Sequence, residues 1–303
     1  MPSRKPGTPT GLTRGSLEVN GLRRTFWLAP RPEPRAPLLI ALHGLGMTGP
    51  DMDALTGLAE RGLAAGFATV FPDGCGQRWD GEQHDPRRAG VDDPAFISGL
   101  VQHLTAVEVA RPGAVIVAGL SNGALFAEFL ARHAILTVTL LALVSGTTSA
   151  QSRRTCPRPG QATAVVCFAG TNDKVTPYLG GPIGGTGLIG RMVDRRSHRR
   201  LRDRPVAVAA ETLAGEWAAA NGVETPPLVQ PVPGRPGHVP STLLSWTADG
   251  HLPVWLYRLN GGGHGWPGGP QYLPARAAGP ISSELDATGI ILRLAKDLVS
   301  EST

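Results

Sequence analysis

The chain has 303 residues, 41% of them hydrophobic and only 17% charged, with 40 glycines and 28 prolines. That composition describes a globular body with a sizeable core and many ordered turns, and it argues against a helical bundle. The formal net charge of +5 is carried by arginine, with three lysines among 29 basic residues; an apolar stretch of 18 residues, the minimum for a membrane span, is absent from the sequence, and three cysteines make no disulfide framework.

Residues 1–14 contain Arg4 and Lys5 without a following apolar region, so they read as a flexible leader, not a secretory signal. The expected location is cytoplasmic if this N-terminus is native and secreted if a leader has been removed. Residues 15–303 read as a single catalytic domain.

Ser16 to Leu28 reads as two strands around an Asn20-Gly21 turn, and Leu38 to Leu42 as a short apolar strand that ends in the loop His43-Gly44-Leu45-Gly46. A helix is expected over Met52 to Ala65, then a strand over Ala68 to Phe71 and the loop Pro72-Asp73-Gly74. Asp93-Pro94 reads as an N-cap followed by proline, opening a helix to about Val109 whose apolar face carries Phe96, Leu100 and Leu104.

The run Ala114 to Ala118 is a further strand, followed by Gly119-Leu120-Ser121-Asn122-Gly123 and a helix to about His133. Strand, tight turn and helix around G-x-S-x-G describe a nucleophile elbow, so Ser121 is the candidate nucleophile. Val138 to Val144 and Ala164 to Phe168 are expected as strands, the second running into Gly170-Thr171-Asn172-Asp173. Val206 to Ala220 reads as a helix. Thr242 to Thr247 and Pro253 to Leu259 flank Asp249-Gly250 as a hairpin that leads to Gly261-Gly262-Gly263-His264, and Glu284 to Val299 supplies a closing helix.

Strands alternating with helices imply a mostly parallel sheet covered on both faces, a three-layer α/β/α arrangement with its reactive groups in loops at the carboxyl ends of the strands. A serine hydroxyl needs a base to take its proton, and a histidine base needs a carboxylate to hold its tautomer. Asp173 and His264 stand in such loops, and Ser121, Asp173, His264 follow the chain order of an α/β-hydrolase. The oxyanion donors expected are the backbone amides of Asn122 and Leu45. His43 reads as shaping the oxyanion loop. His103, His133, His198, His238 and His251 sit on helices, in the basic run or ahead of strands, while His84 and Asp85 share a loop with Trp79 and Asp80 that lines the cleft.

Zinc-ligand spacing is absent, and the glycine-rich run 180–190 lacks the ending of a phosphate-binding loop, so neither metal nor organic cofactor is expected. Seven arginines between Arg191 and Arg204 mark residues 181–204 as a basic insertion. No aromatic residue interleaves it, which weighs against nucleic acid and for a solvated surface segment. Cys167 reads as a core thiol, and Cys75 and Cys156 are candidates for pairing if the fold brings them together.

Six segments resemble the esterase family that contains polyhydroxybutyrate depolymerases, feruloyl esterases and acetyl xylan esterases: Leu42-His43-Gly44, Phe71-Pro72-Asp73-Gly74, Asp92 to Ile97, Gly119 to Gly123, Gly170 to Tyr178 and Gly263 to Gly268. The resemblance spans Gly15 to the C-terminus. It implies the α/β-hydrolase fold, with Ser121 as nucleophile, Asp173 as orienting acid, His264 as base, and Trp266 and Trp79 as aromatic walls of the substrate cleft. It also implies a soluble or oligomeric ester substrate with a short-chain, aryl, hydroxycinnamoyl or hydroxyalkanoate group. Leu45 departs from the cysteine that many members carry, and the basic insertion departs as well. The same residues are compatible with an α/β-hydrolase peptidase, or with a non-catalytic protein that uses the basic insertion as a contact surface.

Overall fold

In the central strands, neighbouring residues belong to opposite layers of core. Leu38, Ile40 and Leu42 pack into one layer with Val117, Leu141, Leu143 and Val165, while Leu39 and Ala41 pack into the other with Ile116, Leu140, Ala142 and Val166. A strand covered on both faces has no polar face to show, which is why these segments read as unbroken apolar runs.

The computed structural model describes residues 11–31, 33–81, 88, 90–184, 204–233 and 241–301. Its strands are β1 (Thr13–Val19), β2 (Leu22–Leu28), β3 (Ala36–Leu42), β4 (Ala68–Pro72), β5 (Ala110–Leu120), β6 (Leu140–Val144), β7 (Ala164–Gly170), β8 (Gly181–Pro182), β9 (Val206–Ala207), β10 (Leu228–Val232), β11 (Ser241–Trp246) and β12 (Val254–Leu259). Its helices are α1 (Gly49–Thr56), α2 (Leu58–Ala64), α3 (Asp93–Ala106), α4 (Asn122–Arg132), α5 (Ala150–Thr155), α6 (Ala210–Ala220), α7 (Ala275–Ala278) and α8 (Ala287–Glu301).

Ten strands form one sheet in the order β1-β2-β4-β3-β5-β6-β7-β12-β11-β10, and β8 pairs with β9 separately. The six strands from β4 to β12 run parallel, and antiparallel pairs finish both edges. Helices α3, α4 and α6 cover one face, with Phe96, Leu130 and Trp217 buried there; α1, α2 and α8 cover the other with Met52, Leu58 and Ile291. This is the three-layer α/β/α architecture of an α/β-hydrolase fold. Among the described residues, no helix is long and apolar enough to cross a membrane.

Four local expectations are corrected. The helix over Met52 to Ala65 is two helices, because Gly57 turns left-handed (φ +64°) between α1 and α2 and donates its amide to Asp53. The cap of α3 is Asp92, whose carboxylate accepts from the Ala95 amide; Pro94 fills the second helical position, and Asp93 is drawn into a buried ion pair with Arg24. Val206 and Ala207 pair with β8 before α6 begins at Ala210. The closing helix starts at Ala287, three residues later than its expected start.

All three cysteines are free thiols, so Cys75 and Cys156 do not pair; Cys156 instead lies against the carbonyls of Arg132 and Arg158. Most of the N-terminal segment, residues 185–203 of the basic insertion, His84, Asp85, His198 and His238 lie outside the described residues.

Candidate active site

Strand β5 ends at Leu120 beside β3 and β6, and the chain turns at once into α4 through Ser121. Ser121 has φ +54° and ψ −115°, a backbone conformation that costs an L-residue of order 1–3 kcal/mol and is held by its surroundings. Its amide donates to the Val144 carbonyl at the end of β6. Such a turn brings backbone against backbone, so the flanking residues must be glycine. A Cβ on Gly119 would run into the Gly123 carbonyl, and one on Gly123 into the carbonyls of Leu42 and His43. The elbow therefore packs directly on the end of β3.

The Ser121 hydroxyl lies 2.9 Å from His264 Nε2, and His264 Nδ1 lies 2.8 Å from Asp173 Oδ2. A carboxylate accepts only, so the imidazole carries its proton on Nδ1 and leaves Nε2 to accept from serine. The other Asp173 oxygen accepts from the amides of Val175 and Thr176 at 2.7 and 2.8 Å, which locks the carboxylate at the end of β7. His264 is 2% exposed and Asp173 7%. Three residues 52 to 143 positions apart thus meet in one hydrogen-bonded line, each supplied by the loop after a parallel strand.

The expected oxyanion loop is tied to the loop after β4 and to the residue that follows it, and one of its amides is left over. Gly46 donates to Gln77 and Met47 to Gly44, and the Leu45 amide between them bonds to none of the described residues; nor does the Asn122 amide at the start of α4. Leu45, Asn122, Ser121 and His264 all face one cavity of about 640 Å³.

His43, fully buried, lies beneath this loop. Its Nε2 accepts from the Gly74 amide at 2.9 Å and its Nδ1 lies 2.8 Å from the Gly44 carbonyl, so the ring is a strut between β3 and the loop after β4. Burial lowers its pKa against the pull of Asp73, Asp51 and Asp93, which keeps it neutral.

Trp79 forms part of the cavity wall, stacked on Phe126 with ring centroids 5.1 Å apart. Its backbone is gripped at both ends by the Asn122 side chain, whose oxygen accepts from Trp79 N and whose amide donates to Trp79 O. The Asn122 side chain is thus committed to positioning this wall. Trp266 corrects its expectation: it is 1% exposed, donates to Thr288 Oγ1 and packs in the core between sheet and α8, away from the cavity lining. Its residue type was a fair signal for a cleft wall, but its position, two residues after a buried histidine, carries the ring inward.

One residue at the site escaped the sequence reading. Ser145, at the end of β6 with φ +49°, accepts from the Gly265 amide at 3.0 Å and donates to the Gly265 carbonyl at 2.9 Å, clasping the residue after His264. Only its place at the end of a parallel strand marked it.

No family model matches the chain. It is 28% identical over 285 residues, 90% of its length and 79% of the relative's, to "Putative esterase NocK" of Nocardia uniformis subsp. tsuyamanensis. The fold superposes on the acetyl xylan esterase from Aspergillus awamori with a TM-score of 0.57 at 12% identity, covering 84% of this chain and 94% of that one. The chain is thus similar in sequence to a relative named as a putative esterase and similar in fold to an acetyl xylan esterase.

Proposed function

We propose that this protein is a serine ester hydrolase. The observation that carries the reading is the unbroken hydrogen-bonded line Ser121–His264–Asp173, whose Ser121 and His264 line a cavity, with Ser121 held on a strained elbow. In this reading Ser121 Oγ attacks the ester carbonyl while His264 Nε2 takes its proton; the carbonyl oxygen, now negative, is met by the amides of Leu45 and Asn122. Collapse of the tetrahedral adduct expels the alcohol, to which His264 returns the proton. Water, deprotonated by the same histidine, then releases the acid and restores Ser121. Asp173 stabilises the imidazolium at both stages without giving up its charge.

The cavity wall, with Trp79, Leu125, Phe126 and Phe129, suits the apolar part of a short-chain, aryl, hydroxycinnamoyl or hydroxyalkanoate ester, and the esterase name of the curated relative points the same way. The test is turnover of p-nitrophenyl acetate and butyrate, methyl ferulate and a hydroxybutyrate oligomer by the wild type and by Ser121→Ala. The variant should fold normally and lose on the order of 10⁴-fold or more in kcat, as when a nucleophile is removed from a triad. Equal turnover by the two proteins would overturn the assignment.

A further inference from the structure

The chain that follows His264 turns back along the site. His264 donates its amide to the Ala278 carbonyl and Gly263 donates to Pro280, so this loop is held against the triad's histidine. Within it Tyr272 packs its ring on the core layer of α8. A Cβ on Gly265, the residue after His264, would lie 3.5 Å from Tyr272 Cε1. The Gln271 side chain fixes the backbone around the ring, donating to the carbonyls of Leu273 and Gly279 and accepting from the Ile281 amide. Leu273 packs in turn with Val175, two residues past Asp173. Tyr272 is thus anchored on the side of the site that His264 and Asp173 form.

Tyr272 lines the same cavity as Ser121 and His264, and its hydroxyl hydrogen-bonds to none of the described residues although it is not sealed in protein. Burial, together with the nearby charge of Asp173, raises the phenol above its ordinary pKa. It therefore keeps its proton wherever the imidazole can act as a base, and it offers a donor to the cavity. The charged side chains of the lining balance, Arg78 and Arg204 against Asp51 and Asp80, so they select no net ionic ligand. What a neutral phenol takes is an oxygen with lone pairs. In ester hydrolysis the carbonyl oxygen goes to the amides of Leu45 and Asn122, whereas the alcohol oxygen must come within hydrogen-bond reach of His264 Nε2 to be given its proton. The alcohol therefore leaves Ser121 on the side that Tyr272 occupies.

We propose, building on the ester hydrolase reading, that Tyr272 is a specificity-determining residue whose hydroxyl donates to an oxygen carried by the alcohol half of the substrate. The preferred substrates are then esters of alkoxy- or hydroxyalkanols over those of plain alkanols with the same number of chain atoms. Tyr272 binds and orients the alcohol, while proton transfer stays with His264. Exchanging one methylene for an ether oxygen keeps the length of the chain and adds the acceptor, so it isolates the proposed contact.

The experiment measures kcat/KM of the wild type, Ser121→Ala and Tyr272→Phe on matched esters with terminal methoxy groups: butyl against methoxyethyl acetate, pentyl against methoxypropyl acetate, and, for the acyl half, ethyl hexanoate against ethyl methoxybutanoate. Dividing the oxygen-over-methylene ratio of the wild type by that of Tyr272→Phe cancels the intrinsic reactivity of the esters. The quotient should reach about fivefold to tenfold in an alcohol pair, the scale of one neutral hydrogen bond, and stay near one in the acyl pair. Tyr272→Phe removes a hydroxyl that bonds to none of the described residues, so its melting temperature should match the wild type. Quotients near one in both alcohol pairs, with turnover that depends on Ser121, would overturn the inference and leave the hydrolase reading standing. A quotient that departs from one in the acyl pair instead overturns it too, as does a loss uniform over all the esters with a lowered melting temperature, the mark of a structural role. Turnover that persists in Ser121→Ala overturns the hydrolase reading, and the inference with it.

Discussion

Glycine has two quite different roles in this chain, and substitution separates them. Gly123 faces backbone carbonyls at the elbow, which cannot swing aside as a side chain can. Gly123→Ala should therefore push α4 off β3, lower stability and remove most ester turnover, read by thermal melting and p-nitrophenyl acetate hydrolysis; unchanged values would show that the elbow has slack. Gly215, in the middle of α6, has nothing within 4 Å of where a Cβ would sit. Gly215→Ala should stabilise by about 0.5–1 kcal/mol, the ordinary gain from replacing glycine inside a helix. Denaturant unfolding would measure it, and a loss of stability would contradict the open packing described. Cys167 offers a third test at this scale. Buried in β7, its thiol is pushed up to about 12 by desolvation, so in the native protein it should resist iodoacetamide at pH 8 while Cys75 and Cys156, both partly exposed, are modified.

Elements here are joined by buried charge as well as by apolar packing. Arg24 on β2 meets Asp93 at the start of α3 at 2.6 Å, with side chains 4% and 0% exposed; the second Asp93 oxygen accepts from Arg88 and from the Asp80 amide, next to the Trp79 wall. Removing one partner strands the other without water, a loss of about 3–5 kcal/mol for a buried pair. Asp93→Ala should thus lower the unfolding free energy on that scale, and loosening of the Asp80 backbone should raise KM more than it lowers kcat; an unfolding free energy within about 0.5 kcal/mol of the wild type, the range of an ordinary surface change, would refute the role given to the pair. Asp93 also shows where the sequence was legible and where not. Strands, the elbow and the Ser–Asp–His order were readable because periodicity and close backbone approach leave local marks. Arg24, the buried partner of Asp93, lies 69 residues away, and although Arg88 stands only five residues before Asp93, the local sequence does not distinguish a cap from part of a buried ion pair. For the same reason Trp266 reads as a cleft wall and Ser145 carries no mark in the sequence; the break at Gly57 is local, but a single glycine within a helical pattern does not by itself show that it turns left-handed.

At the scale of the whole molecule, the two core layers meet the polar site through His43, and this gives stability a pH dependence. The ring is fully buried, its two nitrogens engaged with Gly74 N and Gly44 O, and burial outweighs the nearby aspartates to set its folded pKa below the usual 6.5. Protonation would force Nε2 to become a donor facing the Gly74 N–H, breaking the strut between β3 and the loop after β4. Above about pH 6.5 the ring is neutral in both folded and unfolded chains and exerts no pull on the equilibrium. As the pH falls below that value the unfolded chain takes up the proton first, so stability is lost progressively until the folded pKa is reached. Unfolding free energies measured at pH 7.5 and pH 5.5 should therefore differ more in the wild type than in His43→Gln, whose side-chain carbonyl still accepts from Gly74 but cannot titrate. Equal differences in the two proteins would mean that other groups carry the acid sensitivity. A steeper loss in the variant would mean that the imidazole is protonated in the folded state, and the hydrogen-bond assignment beneath the loop after β3 would have to be reversed.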